Sequence, residues 1–322
     1  MIDTLPPLTV LLASPRGFCA GVERAIRAVE DALRSTANPV FVRHEIVHNG
    51  RVVDALKAQG AIFVDELSAI PDGSVAVFSA HGVARSVENE AACRGLTVVD
   101  ATCPLVRRVH VEARRHAQAG REMIVIGHPG HAEVEGTVGQ IGGPSTIVGS
   151  VEEARSVSVA DPERVAYVTQ TTLSVDDTRE IIAVLKARFP AIRGPDVKTI
   201  CYATQNRQSA VRALSARADR IIVCGARNSS NTNRLCEVAE QEGRPALLVE
   251  HPDDLTPAFI EEVRTLGIAA GASAPEEMVR DVLDRLSRWR TLAMEEVRIT
   301  EESTRFAPVD LSALAPRRKT GT

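Results

Sequence analysis

The chain has 322 residues, 44% of them hydrophobic and 25% charged, enough for a large core and for more than one domain. Lys and Arg total 38 against 42 Asp and Glu, a net charge of -4, and aromatics are only 3%; neither a basic surface for nucleic acid or anionic membranes nor a stacking platform for bases is indicated. The first ten residues lack a basic stretch followed by a long apolar run, and no run nears the ~20 apolar residues of a membrane span, so a soluble cytoplasmic protein is expected.

In chain order, strands are expected over residues 9–13, 40–43, 61–64, 75–79, 97–99, 123–126, 146–148, 165–169, 199–201, 220–223, 246–249 and 268–270. Helices are expected over 23–34, 50–59, 86–94, 105–118, 175–188, 207–217, 231–242 and 275–288. This alternation predicts the α/β class with mainly parallel sheets. From Thr291 the composition turns polar, with Pro308, Pro316 and the run Arg317-Arg318-Lys319. The start of this tail reads as an arm over the body and its end as disordered.

An internal repeat emerges when the chain is aligned on Cys19, Cys103 and Cys201. Each cysteine precedes a helix, then a strand, then a polar loop. The loops carry His48, His131 and Ser229, which lie 29, 28 and 28 residues after their cysteines. Further strands end at His81, at Thr171-Thr172 and at Ser273. Three similar α/β domains around a pseudo-threefold axis are therefore expected: 20–102, 103–198 and 199–290, with 1–19 packing on the third and 291–322 as a tail. Polar residues at strand carboxyl ends place the ligand loops where open α/β sheets bind ligands.

Six cysteines without any CxxC pair argue against a zinc ribbon or a thioredoxin motif. Disulfides are not expected in a cytoplasmic chain. The three repeat cysteines sit at helix starts, where thiolates are favoured, and soft thiolates suit an iron–sulfur cluster or zinc. Cys93, Cys224 and Cys236 read as small buried apolar residues.

His48, His81 and His131, with Ser229, Ser230, Asn231 and Ser273, offer imidazole, hydroxyl and backbone N–H donors to an anion such as a diphosphate. Zinc is an alternative for the histidines, although no HExxH is present. The run Asn228-Ser229-Ser230-Asn231 is also a plain helix cap. His44 and His128 read as supporting residues, and His110, His116 and His251 as exposed ones. Glu133 and Glu135 share a face if the chain there is extended and diverge on a helix. Glu133, beside His131 and flanking glycines, is a candidate proton donor, and Thr171 a candidate relay within a Ser/Thr-rich cap. No dinucleotide fingerprint, P-loop or nucleophile elbow is present, so electrons for any reduction come from a protein partner.

Nine ordered blocks carry a resemblance. They include Pro15-Arg16-Gly17-Phe18-Cys19-Ala20-Gly21-Val22, His44-Glu45-Ile46-Val47-His48-Asn49, Phe78-Ser79-Ala80-His81-Gly82, Asp100-Ala101-Thr102-Cys103-Pro104, His131-Ala132-Glu133-Val134-Glu135-Gly136-Thr137, Thr169-Gln170-Thr171-Thr172, Ile200-Cys201-Tyr202-Ala203-Thr204, Asn228-Ser229-Ser230-Asn231 and Gly271-Ala272-Ser273. On these residues the chain resembles the 4-hydroxy-3-methylbut-2-enyl diphosphate reductase family, the last enzymes of the non-mevalonate isoprenoid pathway, from about residue 11 to 286. Ala132 stands where the family more often has proline.

The resemblance implies a trefoil of three α/β domains around one 4Fe–4S cluster, with Cys19, Cys103 and Cys201 as ligands. It implies a substrate diphosphate held by His48, His81, His131, Ser229, Ser230, Asn231 and Ser273, Glu133 as proton source and Thr171 positioning the substrate hydroxyl. It further implies ferredoxin or flavodoxin as electron donor and a mixture of isopentenyl and dimethylallyl diphosphate as product. The competing readings are a non-redox iron–sulfur dehydratase or quinolinate-synthase-like enzyme, for which arginines would suit a dicarboxylate, and a cluster-binding sensor, for which no partner-binding module is visible.

Overall fold

The structure, a computed structural model, describes residues 6–314. It divides into two compact units. The first comprises residues 6–19 with Tyr202–Thr304, and the second Ala20–Cys201 with residues 305–314. The chain opens in the first unit with strand β1 (Leu8–Ser14) and passes into the second at Ala20. The first five residues and the basic run 317–319 lie outside the described residues, as does the disorder expected there.

In the second unit helix α1 (Ala20–Ser35) is followed by β2 (Val40–Arg43), α2 (Gly50–Ala58), β3 (Ile62–Val64), β4 (Val75–Phe78), α3 (Arg85–Cys93) and β5 (Thr97–Asp100). The four strands make a parallel sheet in the order β3-β2-β4-β5. Next come α4 (Pro104–Gln118), β6 (Glu122–Ile126), α5 (Ala132–Ile141), β7 (Ser145–Val148), α6 (Val151–Ser156), β8 (Val165–Thr169) and α7 (Val175–Arg188). Their strands form a second parallel sheet, β7-β6-β8.

Met123 to Ile126 is an unbroken apolar run because both faces of β6 are covered. Met123 and Val125 pack with Val109 and Ala113 of α4 and Val134 and Ile141 of α5, while Ile124 and Ile126 pack with Ile181 and Leu185 of α7. Each such fully buried side chain contributes roughly 1.5–3 kcal/mol.

The first unit resumes with α8 (Tyr202–Ser215), β9 (Arg220–Cys224), α9 (Ser230–Gln241), β10 (Ala246–Val249), β11 (Thr265–Ala270), α10 (Glu276–Ser287) and β12 (Leu292–Arg298). One parallel sheet results, in the order β10-β9-β11-β1-β12. Leu8 and Val10 face Val279, Val282 and Leu286 of α10, and Leu11 and Ala13 face Val211 and Leu214 of α8 and Leu235 of α9.

Several expectations need correction. Residues 292–298 are not an arm: β12 pairs with β1 from Leu8↔Leu292 to Ser14↔Arg298. Its polar sequence is that of an edge strand, where Glu295, Glu296 and Arg298 discourage further pairing. Residues 199–201 are not a strand either. A 3-10 turn, Asp196–Thr199, follows Pro195, and Asp196 has φ +54°, so the backbone is bent away from any ladder. A short helix, α5, lies where none was expected, while α6 carries in its first turn the acidic pair Glu152-Glu153, a helix-start signal in the sequence.

Among the side chains, His110 is buried rather than exposed, because Val106, Val109, His110 and Ala113 share the inner face of α4. Cys93 is exposed rather than buried, at the last turn of α3. Cys224 is buried and Cys236 partly so, with burial pushing the Cys236 thiol up to about 12. No helix among the described residues is long and apolar enough to cross a membrane.

Candidate functional site

In the second unit the loops that follow β2, β4 and β6 carry the three histidines. After β2 the chain turns at His44, with φ +59°, and reaches His48 just before Asn49, the N-cap of α2. After β4 come Ser79, Ala80 and His81. After β6 come Gly127, His128 and then His131, the N-cap of α5. These loops bring the rings together: His48 stacks on His81 with centroids 4.1 Å apart, and His131 lies edge-on to both at 5.3 and 5.8 Å.

Each ring is oriented by a neighbour. His48 Nδ1 lies 3.0 Å from Glu45 Oε2, and His81 Nδ1 lies 3.3 Å from Ser79 Oγ. His131 Nδ1 accepts from the Glu133 N–H at 3.1 Å, so a neutral His131 carries its proton on Nε2. Burial and the adjacent His48 hold His131 down to about 4. His81 is lowered well below the ordinary range by burial and then by His48 and His131. His81 and His131 are thus neutral imidazoles at neutral pH, and an anion beside them favours their charged forms.

Glu133 is the second residue of α5 and is 2% exposed. The helix points it inward while Glu135 faces out, so the two acids diverge. Its Oε1 accepts from the Thr171 N–H at 2.6 Å and its Oε2 from the Thr171 hydroxyl at 2.9 Å. Burial raises its pKa to about 7 against the lowering pull of these two bonds. A carboxyl group so placed is half protonated near neutrality, as a general acid requires.

Gln170, 2% exposed, was missed as a site-building residue. Its N–H donates to Ile126 O at 2.8 Å, its Oε1 accepts from His128 N–H at 3.0 Å, and its Nε2 donates to Thr172 Oγ1 at 2.9 Å. It thereby ties the loop after β6, which carries His131, to the loop after β8, which carries Thr171. A buried glutamine between two strand-end threonines was the available signal.

Two repeat cysteines belong to this unit. Cys103 is the N-cap of α4, which starts on Pro104, and its N–H donates to Ala80 O at 3.0 Å, next to His81. Cys201 N–H donates to Thr171 O at 3.0 Å. Under Gly82, which has φ +75°, lies buried His110: a Cβ on Gly82 would stand 2.5 Å from its ring. His110 Nε2 has no hydrogen-bond partner among the described residues, and burial lowers its pKa to about 4.

The first unit gathers a different set. Ser229 is the N-cap of α9, its Oγ accepting from Thr232 N–H at 3.3 Å and lying 3.5 Å from Ser273 Oγ. Asn231 links the loop after β11 to the first turn of α8: its Oδ1 accepts from Ala272 N–H at 2.8 Å and its Nδ2 donates to Thr204 Oγ1 at 3.4 Å. Ser230 is the half-buried first residue of α9. Cys19 N–H donates to Ala272 O at 3.2 Å, beside Ser273.

Each of the three repeat cysteines is partly exposed. Each lies immediately before a helix: Cys19 before α1, Cys103 before α4 and Cys201 before α8. Soft sulfur beside the open N–H groups of a helix start suits each of these cysteines, taken singly, to an iron–sulfur centre.

The LytB protein family model matches residues 10–287. The chain is 53% identical to the 4-hydroxy-3-methylbut-2-enyl diphosphate reductase of Zymomonas mobilis over 93% of this chain and 88% of that one. It is 54% identical to 4-hydroxy-3-methylbut-2-enyl diphosphate reductase 2 of Bradyrhizobium diazoefficiens, over 95% of this chain and 100% of that one. The solved structure of the E-1-hydroxy-2-methyl-but-2-enyl-4-diphosphate reductase from Plasmodium falciparum is similar with a TM-score of 0.89 at 35% identity, covering 94% of this chain and 96% of that one.

Proposed function

The chain belongs to the LytB family, and we propose that its two sets of residues divide the work of a 4-hydroxy-3-methylbut-2-enyl diphosphate reductase between anion binding and proton delivery. The reaction breaks the allylic C–O bond, adds two electrons and two protons, and yields water with isopentenyl or dimethylallyl diphosphate. The family is an iron–sulfur one, and Cys19, Cys103 and Cys201 would hold a 4Fe–4S cluster. When bound, that group supplies an open Lewis-acidic iron and single-electron transfer.

The diphosphate is held by His48, His81 and His131 together with Ser229, Ser230, Asn231 and Ser273. His81 and His131, neutral in the ligand-free pocket, gain charge and donors as the anion arrives, so binding takes up protons. His131 presents Nε2–H because its Nδ1 is engaged by the Glu133 N–H. Glu133 gives the proton that leaves with the hydroxyl as water. With the proton on Oε2, Thr171 Oγ1 accepts from Glu133, and the threonine hydrogen is turned toward the substrate hydroxyl.

The observation that carries this reading is the buried Glu133 raised to about 7 and gripped twice by Thr171. Ferredoxin or flavodoxin would deliver the electrons in the cytoplasm. The division 20–102, 103–198 and 199–290 would give the first two parallel sheets a domain each, with β1 and β12 joining the third from outside 199–290. The test is anaerobic incubation of brown, cluster-loaded protein with the hydroxylated diphosphate and a strong one-electron reductant. Release of both isoprenoid diphosphates is expected, and a fully reconstituted but colourless protein would remove the cluster from the account.

A further inference from the structure

The largest fully buried side chain among the described residues is a cation. Arg207, on α8, is 1% exposed. It lies on the inner face of that helix with Ala203, Ala210, Val211 and Leu214, so helical periodicity aims it into the unit. A buried guanidinium is tolerated only when its donors are satisfied and its charge is paired. Here both conditions hold. Nε and Nη2 donate to Gly17 O at 3.1 and 2.6 Å, and Nη2 also reaches Phe18 O at 3.4 Å. Nη1 donates to Ala203 O and to Glu302 Oε1, both at 3.0 Å.

Glu302 is the counter-ion, with its side chain 14% exposed and a further bond from Asn206 Nδ2 at 3.0 Å. It follows β12, in the tail where the sequence shows no site signature. The carbonyls that Arg207 grips belong to the two residues just before Cys19. Gly17 has φ +68°, and a Cβ there would meet Ala274 O at 3.2 Å, so this turn has little room to move. On the turn's other side, Arg16 forms a bidentate pair with Glu276 at 2.7 and 3.2 Å.

We propose that Arg207, neutralised by Glu302, is a positioning residue for the Cys19 turn, and that Glu302 sets the net charge beneath it. The proposal rests on Cys19 being a cluster ligand. With Glu302 present, the turn sits over a neutral pair. With its charge removed, an uncompensated cation lies against the backbone of Cys19 and favours the more reduced, more negative state of whatever Cys19 binds.

The test uses the full chain. Glu302→Gln preserves shape and removes one charge; its cluster should show a reduction potential shifted to more positive values at wild-type iron content. An unchanged potential at wild-type iron content would overturn the charge role. Glu302→Ala, in metal-free protein, should raise the rate of Cys19 alkylation by iodoacetamide about tenfold, read by peptide mass spectrometry, with Cys103 and Cys201 unchanged. Equal increases at all three cysteines, or none, would overturn the positioning role and decide the matter should Glu302→Gln not hold a cluster. In wild-type protein the loaded cluster should shield Cys19 from the reagent. Failure of that shielding would count against the ligand assignment, while the metal-free comparison still reads the clamp.

Discussion

The two units solve the problem of presenting polar groups in opposite ways. In the second, the side chains at strand ends have displaced proton affinities: His81 and His131 are lowered, and Glu133 is raised to about 7. In the first, the corresponding strand ends and the start of α9 offer Ser229, Asn231 and Ser273, which carry no charge at any ordinary pH and already bond to one another or to nearby backbone. Of the first unit's two buried arginines among the described residues, Arg290 is held by backbone carbonyls and Arg207 is paired with the partly buried Glu302 beneath the Cys19 turn. At these strand ends, displaced proton affinities are found in the second unit and uncharged groups in the first.

The largest effect that can break this comparison is removal of a thiol. Cys103→Ser should abolish both cluster content and turnover, measured as iron, labile sulfide and product, whereas Cys93→Ser, at an exposed thiol, should leave all three unchanged. Glu133→Gln comes next. It should retain the cluster and substrate binding while kcat falls about 10²–10⁴-fold. Normal turnover in that variant would remove the acid from the second unit.

His131→Ala should raise KM roughly 10–100-fold, the loss of about 1.5–3 kcal/mol from one charge-assisted hydrogen bond, with a smaller change in kcat. It should also reduce the proton uptake that accompanies substrate binding, followed by calorimetry in buffers of different ionisation heat. The smallest effect is expected in the first unit. Ser229→Ala removes the N-cap of α9 and one hydroxyl, costing about 1 kcal/mol of stability and a few-fold in KM, with no change in the pH profile. A changed pH profile for Ser229→Ala would erase the distinction between the units.

Much of this was legible because parallel strands buried on both faces read as plain apolar runs, and the polar residues just after them stand out. His48, His81 and His131 are found in that way, and the structure brings their rings within 6 Å of one another. The orientation of Glu133 was not legible. Helix α5 is ten residues long and carries Gly136 and Gly139, so composition argues against it, yet both glycines lie where another side chain would strike the loop after β4. Helical spacing did hold information that went unused. The inner-face positions of α4 and α8 predict that His110 and Arg207 are buried, but a polar residue on such a face is easily read as surface. Strand β12 was hidden for the opposite reason, since an edge strand with two consecutive glutamates looks like a linker.

The central claim is that Glu133 delivers the proton from a buried carboxyl group that titrates near neutrality. Burial raises its pKa, so the acid form persists to higher pH than in an exposed glutamate and is lost as pH rises through about 7. The most direct measurement is the single-turnover rate of substrate-saturated, pre-reduced protein between pH 6 and 9. The rate should be level below about 7 and fall toward tenfold per pH unit above it; a rate that stays level to pH 9 would contradict the assignment.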